Sequence, residues 1–312
     1  MSRVVKFTLA VALLALTFGF TGVWPVIHYV NELHIGWLMA GLVLTLPQYV
    51  LSAARWCLVA NAIGAELSYR ESLSRYYLAG FLNTTLPSGI VGEATRVALH
   101  GRALRTSDDK PYRRALFAVL VERSIGQCAL LTVLLLVLVI APPTWFELSR
   151  WTPLTILAGL IALGLTLIWI RPDQRLWIGR SKWLEPLGQF ARALVVSHTP
   201  WTRAVVQFAM STLILSTYLG VFAASAYAVG AHPNNLLTLG LITLGAMVVP
   251  FSVLGFGVRE ASAAGLWAYA GADPAEGVAI SVVYGCINIV ASLPGALYAI
   301  SAARRTAKLP AD

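Results

Sequence analysis

Long apolar stretches alternate with short polar segments along most of this 312-residue chain. A helix needs about 20 predominantly apolar residues to cross the hydrocarbon core of a bilayer. Windows of this kind occur at residues 7–27, 36–56, 115–141, 153–170, 204–230 and 277–302. The first exceeds the roughly 7–15 residues of a signal-peptide core and has no small-x-small cleavage site, so we interpret it as a retained helix. The pattern therefore predicts six transmembrane helices.

Two further apolar segments differ from these windows. Residues 71–100 and 236–270 each contain two short apolar arms around a break rich in proline and glycine. We interpret both as re-entrant helical hairpins, with a pair of broken crossing helices as the alternative. The expected fold is an all-α polytopic membrane protein, with six transmembrane helices and two re-entrant hairpins.

The two breaks share a sequence skeleton. The first reads LPSGIVGEATR over residues 86–96, and the second reads VPFSVLGFGVRE over residues 249–260. The matching positions are Pro87 with Pro250, Gly92 with Gly255 and Arg96 with Arg259, while Gly89 and Gly257 add further turn residues. Broken backbone at membrane depth is tolerated only where it is buried in protein or lines a cavity. Paired broken segments in the two halves of a chain thus point to a transporter binding site.

Composition and charge support this topology. The chain is 58% hydrophobic and 12% charged, against about 25% charged residues in soluble domains. We therefore expect one integral membrane domain over residues 1–303 and a cytoplasmic tail over 304–312. Twenty of the 23 lysine and arginine residues fall in segments 1–6, 55–75, 96–114, 171–203 and 304–308. The positive-inside rule then places both termini in the cytoplasm, and the hairpins enter from opposite sides as an inverted repeat.

Several function classes find no support in the sequence. The net charge of +9 follows from this loop bias, and no nucleic-acid recognition motif accompanies it. Cys57, Cys128 and Cys286 are scattered, and the five histidines are unclustered, so we expect no metal, cofactor or disulfide framework. The motifs G-x-S-x-G, H-E-x-x-H and Walker A are absent from the sequence. Enzymatic activity is therefore not expected.

Three sets of charged residues lie in apolar sequence, where each charge costs roughly 2.5–3.5 kcal/mol at a helix centre. The sets are Glu93 with Arg96, Glu122 with Arg123, and Arg259 with Glu260. One interpretation is purely structural, with the charges neutralising one another. The other is that they line a polar cavity and contact a charged head group. Arginine is suited to phosphate because its planar fork forms bidentate hydrogen bonds.

Neighbouring polar residues extend this candidate site. Free N–H groups where the second arm of each hairpin begins favour an anion. Ser88 and Ser252 are candidates to cap these arms or to donate to a ligand oxygen, and Asn83 is a candidate for either backbone or substrate contact. Arg55 falls at the end of the second predicted helix, where we expect it to extend to the interface. Tyr76, Tyr77, Tyr284 and Asn288 are plausible cavity liners, with packing as the default expectation.

The same motifs resemble a known family. Residues 80–96, GFLNTTLPSGIVGEATR, look like the first signature of the lysylphosphatidylglycerol synthase transmembrane family, also called flippase-like domain proteins. Glu122-Arg123 resembles the intramembrane Glu-Arg pair of that family, and residues 250–261 resemble its second signature. Glu93 stands where many members have aspartate. The resemblance implies a bacterial inner-membrane protein that moves polar-headed lipids between leaflets.

We therefore predict a lipid flippase or transporter for an anionic lipid that contains phosphate. A phospholipid, an isoprenoid-phosphate carrier or a similar membrane lipid is the expected partner, and homo-oligomerisation stays open. Synthase activity is not expected, because no aminoacyl-transferase domain follows the membrane domain in this sequence. The alternatives are a membrane-embedded enzyme with Glu260 or Glu93 as acid or base, and an accessory subunit of a glycosyltransferase or lipid-modification system.

Overall fold

The computed structural model describes residues 12, 15–86, 90–106, 110–144, 151–156, 158–159, 185–245, 252–253 and 256–306. Within these residues the chain is almost entirely helical. The helices are α1 (Val23–Asn31), α2 (Ile35–Ala62), α3 (Tyr69–Thr85), α4 (Val91–Ala103), α5 (Pro111–Ile140), α6 (Glu185–His198), α7 (Trp201–Ala228), α8 (Leu236–Gly245), α9 (Val258–Tyr269) and α10 (Pro274–Thr306). A 3₁₀ turn, Leu104–Thr106, follows α4.

Four of the described helices are long and apolar enough to cross a membrane. They contain Ile35–Ala62, Pro111–Ile140, Trp201–Ala228 and Pro274–Ile300. These helices correspond to the predicted windows 36–56, 115–141, 204–230 and 277–302, so the prediction of a helical membrane protein is confirmed. The window 7–27 is described only at residues 12 and 15–27, where the helix is interrupted at Gly22, and the window 153–170 lies largely outside the described residues. The total of six spans therefore stays a prediction.

The two predicted hairpins each form a pair of short helices. Helices α3 and α4 have 17 and 13 residues, and α8 and α9 have 10 and 12. At 1.5 Å per residue the longest of them extends about 26 Å. This is shorter than the hydrocarbon core, which is about 30 Å thick. The lengths fit re-entrant arms, and entry from opposite sides stays a prediction.

Local sequence sets the bounds of the first hairpin. Ser68 is the N-cap of α3 and forms a capping box with Glu71, in which each side chain accepts a hydrogen bond from the backbone N–H of the other residue. At the other end, Leu86 has extended dihedral angles, φ −106° and ψ 143°. A residue before proline is biased toward this conformation, so Pro87 accounts for the end of α3.

The second hairpin contains a structure that the sequence pattern did not predict. Ser252–Val253 (β1) and Phe256–Gly257 (β2) form a two-residue antiparallel ribbon, with Ser252 opposite Gly257 and Val253 opposite Phe256. The all-α class holds for the described residues, and this ribbon is a local exception to it. Backbone polar groups at membrane depth need partners inside the protein, and the ribbon provides them where the helix is interrupted. Gly257 has a φ of 127°, a conformation that side chains with a Cβ rarely adopt.

Two of the three buried apolar clusters among the described residues join the hairpins to the long helices. One contains Phe222, Trp267 and Tyr284, contributed by α7, α9 and α10. The other is built around Trp56 of α2 and Val119 of α5, and Tyr76 and Val97 of the first hairpin pack against it. Each hairpin therefore packs against transmembrane helices rather than standing alone, which fixes its polar residues relative to those helices.

Helix α3 packs closely against α4 and α10, and each of these two helices has a glycine at the contact. A Cβ added at Gly92 of α4 would overlap the carbonyl group of Ala79, and one added at Gly295 of α10 would overlap the carbonyl group of Tyr77. Real Cβ atoms do not approach backbone so closely, so both positions require a residue without a side chain. This close packing positions the hairpin against the longest described helix.

Replacing Gly295 with alanine is expected to destabilise the bundle by about 1–3 kcal/mol, because the new methyl group forces α3 away from α10. The thermal unfolding midpoint of the purified protein measures the effect. Gly265→Ala is the matched control, since a Cβ at this helical position meets nothing within 4 Å. Equal midpoints for the two variants would contradict the packing argument.

Candidate functional site

A cavity of about 320 Å³ lies between the hairpins and the transmembrane helices. The first hairpin contributes Asn83, Glu93 and Arg96 to its wall, and the second contributes Val258 and Arg259. Helices α2, α5, α7 and α10 supply the remaining sides. The two segments with related sequence motifs therefore meet at a single site.

Arg96 is the most enclosed arginine of the first hairpin, with only 3% of its surface exposed. Its guanidinium lies 4.1 Å from the ring centroid of Trp56 and 4.3 Å from that of Tyr76. Its Nη2 donates to Glu122 Oε2 at 3.2 Å. Stacking on the two aromatic faces suits the delocalised guanidinium and fixes its position in the cavity wall.

Arg55 of α2 also lies in the cavity wall, which corrects the expectation that it extends to the interface. It is 5% exposed and donates through Nη2 to Glu122 and through Nη1 to Ser211 Oγ at 2.9 Å. Glu122 thus bridges two buried arginines. Space for Arg55 comes from Gly126, where a Cβ would lie 3.1 Å from its Nη2.

In the first hairpin and α5, the ion pairs do not join charged residues that are close together in the sequence. Glu93 and Arg96 lie three positions apart on α4, and Glu122 and Arg123 are adjacent on α5, yet neither set forms a salt bridge among the described contacts. Instead Arg123 Nη1 lies 2.9 Å from Glu93 Oε1, while Arg96 reaches Glu122. The crossed pairs link the hairpin to α5.

The Glu93–Arg123 pair is more exposed than the other cavity pairs, with side-chain exposures of 21% and 36%. Asn83 orients Glu93. Its Nδ2 donates to Glu93 Oε2 at 3.1 Å, and its Oδ1 accepts from the Gly92 N–H at 2.8 Å. Asn83 therefore satisfies a free amide at the start of α4, not a carbonyl released at the end of α3.

In the second hairpin the pair expected from sequence does form. Arg259 donates from Nε and Nη2 to Glu260 Oε1, at 3.0 and 2.7 Å. Ser281 Oγ accepts from Arg259 Nε at 2.7 Å and donates to the same carboxylate oxygen at 2.8 Å. Glu260 Oε2 accepts from the Gly257 N–H at 2.6 Å. Glu260 is fully buried and lies behind Arg259, which alone of the two lines the cavity.

Several predicted site residues lie outside the described part of the chain. These are Pro87, Ser88, Gly89, Pro250 and Gly255, together with the side chain of Ser252. The N-cap positions of α4 and α9 are Ile90 and Gly257. Neither serine occupies these N-cap positions, and the predicted roles of Ser88 and Ser252, capping or contact with a ligand oxygen, stay predictions because their side chains lie outside the described part of the chain.

Sequence reasoning missed much of the polar wall. Tyr76 and Asn288, which the sequence suggested as cavity liners, do line the cavity. The polar lining residues that were not singled out from the sequence are Gln48, Tyr49, Ser52, Thr84, Gln127, Ser211 and Tyr218. Most come from the long apolar helices, where isolated polar residues resemble ordinary packing positions. One usable signal was Gly80, where a Cβ would overlap the Tyr49 hydroxyl.

The charges around the cavity do not balance. Arg55, Arg96, Arg123 and Arg259 line it, whereas the acidic residues of the described cluster are Glu93, Glu122 and Glu260. Four cations and three anions leave one formal positive charge. The arrangement can therefore accept an anionic group with hydrogen-bond acceptors.

Comparison with known proteins agrees with the sequence motifs. A family model described as Lysylphosphatidylglycerol synthase TM region matches residues 3–295. A search of curated proteins finds no match. Because the match extends over most of the chain, the protein belongs to this family, and the resemblance of its motifs is confirmed.

Proposed function

From its membership in the lysylphosphatidylglycerol synthase transmembrane family and from the charge of the cavity, we propose that the protein transports lipid between membrane leaflets. Its substrate is an anionic lipid with a phosphate-containing head group. The head group enters the polar cavity while the hydrocarbon chains stay in the bilayer. The protein itself makes no covalent change to the lipid.

The excess of arginine over glutamate is the observation that carries this proposal. Removing a charge from water is costly unless a partner compensates it. Three carboxylates neutralise three of the four arginines, and a phosphodiester provides the fourth negative charge.

The two kinds of ion pair suggest different roles. Glu122 and Glu260 are at most 1% exposed, and each holds a buried arginine in one geometry. The Glu93–Arg123 pair is partly exposed, so exchanging Glu93 for a phosphate oxygen costs less than breaking a buried pair. In the proposed mechanism Arg96 and Arg259 bind the phosphate. Arg123 joins them when the head group displaces Glu93, and Asn83 guides that exchange.

The apolar part of the wall fits an amphiphilic substrate. Leu130, Ile214, Leu215 and Leu244 line the same cavity as the arginines. Free phosphate gains no binding free energy from these apolar side chains. A lipid gains binding free energy from the apolar side chains, which cover the first carbon atoms of its chains, and from the arginines, which contact its phosphate.

Reconstitution tests this function. The purified full-length protein is placed in vesicles that contain fluorescent phosphatidylglycerol or fluorescent phosphatidylcholine, and a membrane-impermeant quencher reports movement between leaflets. We expect faster exchange of phosphatidylglycerol, because its head group is anionic and lacks the bulky cation. Protein-free vesicles give the background rate.

Mass spectrometry of the recovered lipid completes the test. Unaltered lipid in the opposite leaflet supports transport, whereas a new chemical product would support a membrane-embedded enzyme instead. No exchange of either lipid above background, with folded protein in the vesicles, would contradict the proposed transport. Faster exchange of phosphatidylcholine would contradict the preference for an anionic head group.

A further inference from the structure

Three neutral polar side chains of the central cavity take no part in the ion pairs described above. They are Gln48 and Tyr49 of α2 and Tyr218 of α7. Within the part of the chain that the structure describes, none of the three forms a side-chain hydrogen bond. Ser211, another neutral residue of the wall, differs because it accepts a hydrogen bond from Arg55. The three side chains are therefore available to a molecule that enters the cavity.

Gln48 gives the clearest indication of a ligand. It is only 4% exposed, it lines the cavity, and its Oε1 has no hydrogen-bond partner among the described residues. Buried amides without partners are rare in folded proteins because the lost hydrogen bonds cost free energy. Rotation about the last side-chain torsion exchanges the amide oxygen and nitrogen, so Gln48 can present either an acceptor or a donor to a bound molecule.

Helices α2 and α7 run antiparallel beside the cavity. The backbone N–H of His34, just before α2, donates to the carbonyl oxygen of Ala228 at the end of α7, at 2.8 Å. Further along α2, Arg55 donates to Ser211, which lies nearer the start of α7. Positions equally far from Arg55 on α2 and from Ser211 on α7, in opposite chain directions, therefore lie at the same level of the bundle.

Gln48 and Tyr218 are such a pair of positions. Gln48 precedes Arg55 by seven residues, and Tyr218 follows Ser211 by seven residues. Seven residues correspond to two helical turns, or about 10 Å along the axis. Tyr49 is adjacent to Gln48, so the three side chains form one layer, which is displaced along the bundle from the level of Arg55. We refer to Gln48, Tyr49 and Tyr218 as the neutral layer.

The cavity is larger than a phosphate group needs. Its volume of about 320 Å³ equals that of about ten molecules of liquid water, whereas a phosphate group has about five heavy atoms. Arg96 shares Glu122 with Arg55, so a phosphate held at Arg96 leaves the neutral layer to another part of the head group. Apolar chains placed there would leave an amide and two hydroxyls unpaired, and the layer has no carboxylate to pair with a cation.

The hydrogen-bonding groups of the neutral layer suit a ring that carries several hydroxyls. An amide supplies an oxygen acceptor and an NH₂ donor, and each phenol supplies one hydroxyl, which makes about four groups in total. They belong to two helices, so they reach a ligand from two sides. A sugar or cyclitol ring has hydroxyls around its edge and can engage such groups together, whereas a short alcohol has fewer to offer.

We propose that the neutral layer binds the hydroxyl groups of a sugar or cyclitol ring that is linked to the phosphate of the transported lipid. This inference rests on the proposed transport of a phosphate-containing lipid and names the class of its head group. Arg96 binds the phosphate, and the neutral layer orients the ring. A site built to hydrogen-bond a substrate hydroxyl rejects an analogue without it, because its own polar groups are then left unpaired. The layer therefore determines which anionic lipid is accepted.

Three fluorescent lipids of equal charge test the proposal. Phosphatidylinositol carries a cyclitol ring, phosphatidylglycerol carries two hydroxyls, and phosphatidylmethanol carries none. Each is a dilute tracer, labelled on an acyl chain, in phosphatidylcholine vesicles that contain the full-length protein, so the exchange rate reflects binding and transport together. One hydrogen bond between neutral groups changes a rate roughly 2–10-fold. We therefore expect phosphatidylinositol to exchange about tenfold faster than phosphatidylmethanol, with phosphatidylglycerol between them.

Removing the polar groups of the neutral layer assigns the preference to these residues. Gln48→Leu with Tyr218→Phe should lower the ratio of the phosphatidylinositol rate to the phosphatidylmethanol rate about tenfold. Tyr227→Phe is the matched control, because it removes a hydroxyl from the same helix at a position that packs on Trp37 and does not line the cavity. The control should keep the ratio of the parent protein. An unchanged ratio in the double variant, or an equal fall in the control, would contradict recognition by this layer.

The order of the rates separates this inference from the proposed function. Equal rates for the three lipids would leave transport intact and mean that the neutral layer contacts only water, and a faster rate for phosphatidylglycerol than for phosphatidylinositol would overturn the ring. No exchange of any lipid would contradict transport itself. Native mass spectrometry of the purified protein with an equimolar mixture of phosphatidylinositol and phosphatidylmethanol then decides the site. Preferential binding of phosphatidylinositol that the double variant loses supports the neutral layer, and equal binding of the two lipids overturns it.

Discussion

Replacing Arg96 or Arg259 with lysine is expected to reduce lipid transport at least about tenfold, because one hydrogen bond to a charged group contributes about 1.5–3 kcal/mol. Lysine keeps the positive charge but lacks the planar guanidinium group that donates hydrogen bonds to two phosphate oxygens at once. At position 96 it also loses the stacking between Trp56 and Tyr76. The exchange rate in reconstituted vesicles measures the effect, with size-exclusion chromatography to verify folding.

Arg75→Lys is the control for this prediction. Arg75 is buried and paired with Glu71, but it does not line the central cavity. The control therefore repeats the chemical change of a buried arginine without touching the proposed head-group site, and transport should stay near that of the parent protein. Full activity of folded Arg96→Lys and Arg259→Lys variants would leave the arginines with a charge-balancing role only.

The double variant Arg259→Gln with Glu260→Gln separates structure from binding. It removes a buried ion pair as a unit, which costs far less stability than removing one partner. A structural pair should therefore allow a folded and active protein. A phosphate-binding Arg259 should give a folded protein without transport, which is the result we expect.

The long helices could be predicted from the sequence because an apolar stretch of about 20 residues is a strong signal for a membrane-spanning helix. The apolar windows at 115–141 and 204–230 differ from the ends of α5 and α7 by only a few residues. The two breaks were visible because proline and glycine interrupt apolar sequence at related positions. The β1–β2 ribbon was not visible, since a two-residue strand leaves no periodic pattern.

Arg55 was predicted at the membrane interface because the predicted apolar window ended too early. The window ended at residue 56, next to the arginine, whereas α2 continues to Ala62. Apolar residues resume at Cys57 and continue through Ala60, so the helix interior extends on both sides of Arg55. A charged residue with apolar flanks on both sides indicates a buried site rather than an interface.

The crossed ion pairs lie beyond what sequence spacing can predict. Glu93 and Arg96 have the i, i+3 spacing that favours a pair on an isolated helix. In the folded protein Arg96 instead reaches Glu122 on α5, and Glu93 reaches Arg123. Exposed local pairs contribute little, whereas two buried arginines strongly require a shared carboxylate. Tertiary packing therefore overrides local spacing here.

Glu122→Gln is expected to be the most destabilising single change in the cavity, with a cost of about 3–5 kcal/mol, because it leaves buried charge uncompensated. Glu122 is 1% exposed and carries hydrogen bonds from both Arg55 and Arg96. Glutamine keeps the shape and one acceptor but removes the charge between the two guanidinium groups. The thermal unfolding midpoint and the yield of folded protein measure the loss.

Two companion variants identify the cause as charge. Glu93→Gln removes the carboxylate of a partly exposed pair, and solvent compensates the remaining arginine, so the cost should stay below about 1 kcal/mol. Glu122→Gln combined with Arg55→Gln restores the original net charge of the cluster and should recover much of the lost stability. Similar losses for Glu122→Gln and Glu93→Gln, or a double variant less stable than Glu122→Gln alone, would mean that shape or hydrogen bonding at Glu122 matters more than its charge. We expect instead that Glu122→Gln loses the most stability, the double variant less and Glu93→Gln the least. In that case Glu122 is the carboxylate that holds two arginines of the cavity in position before lipid binds.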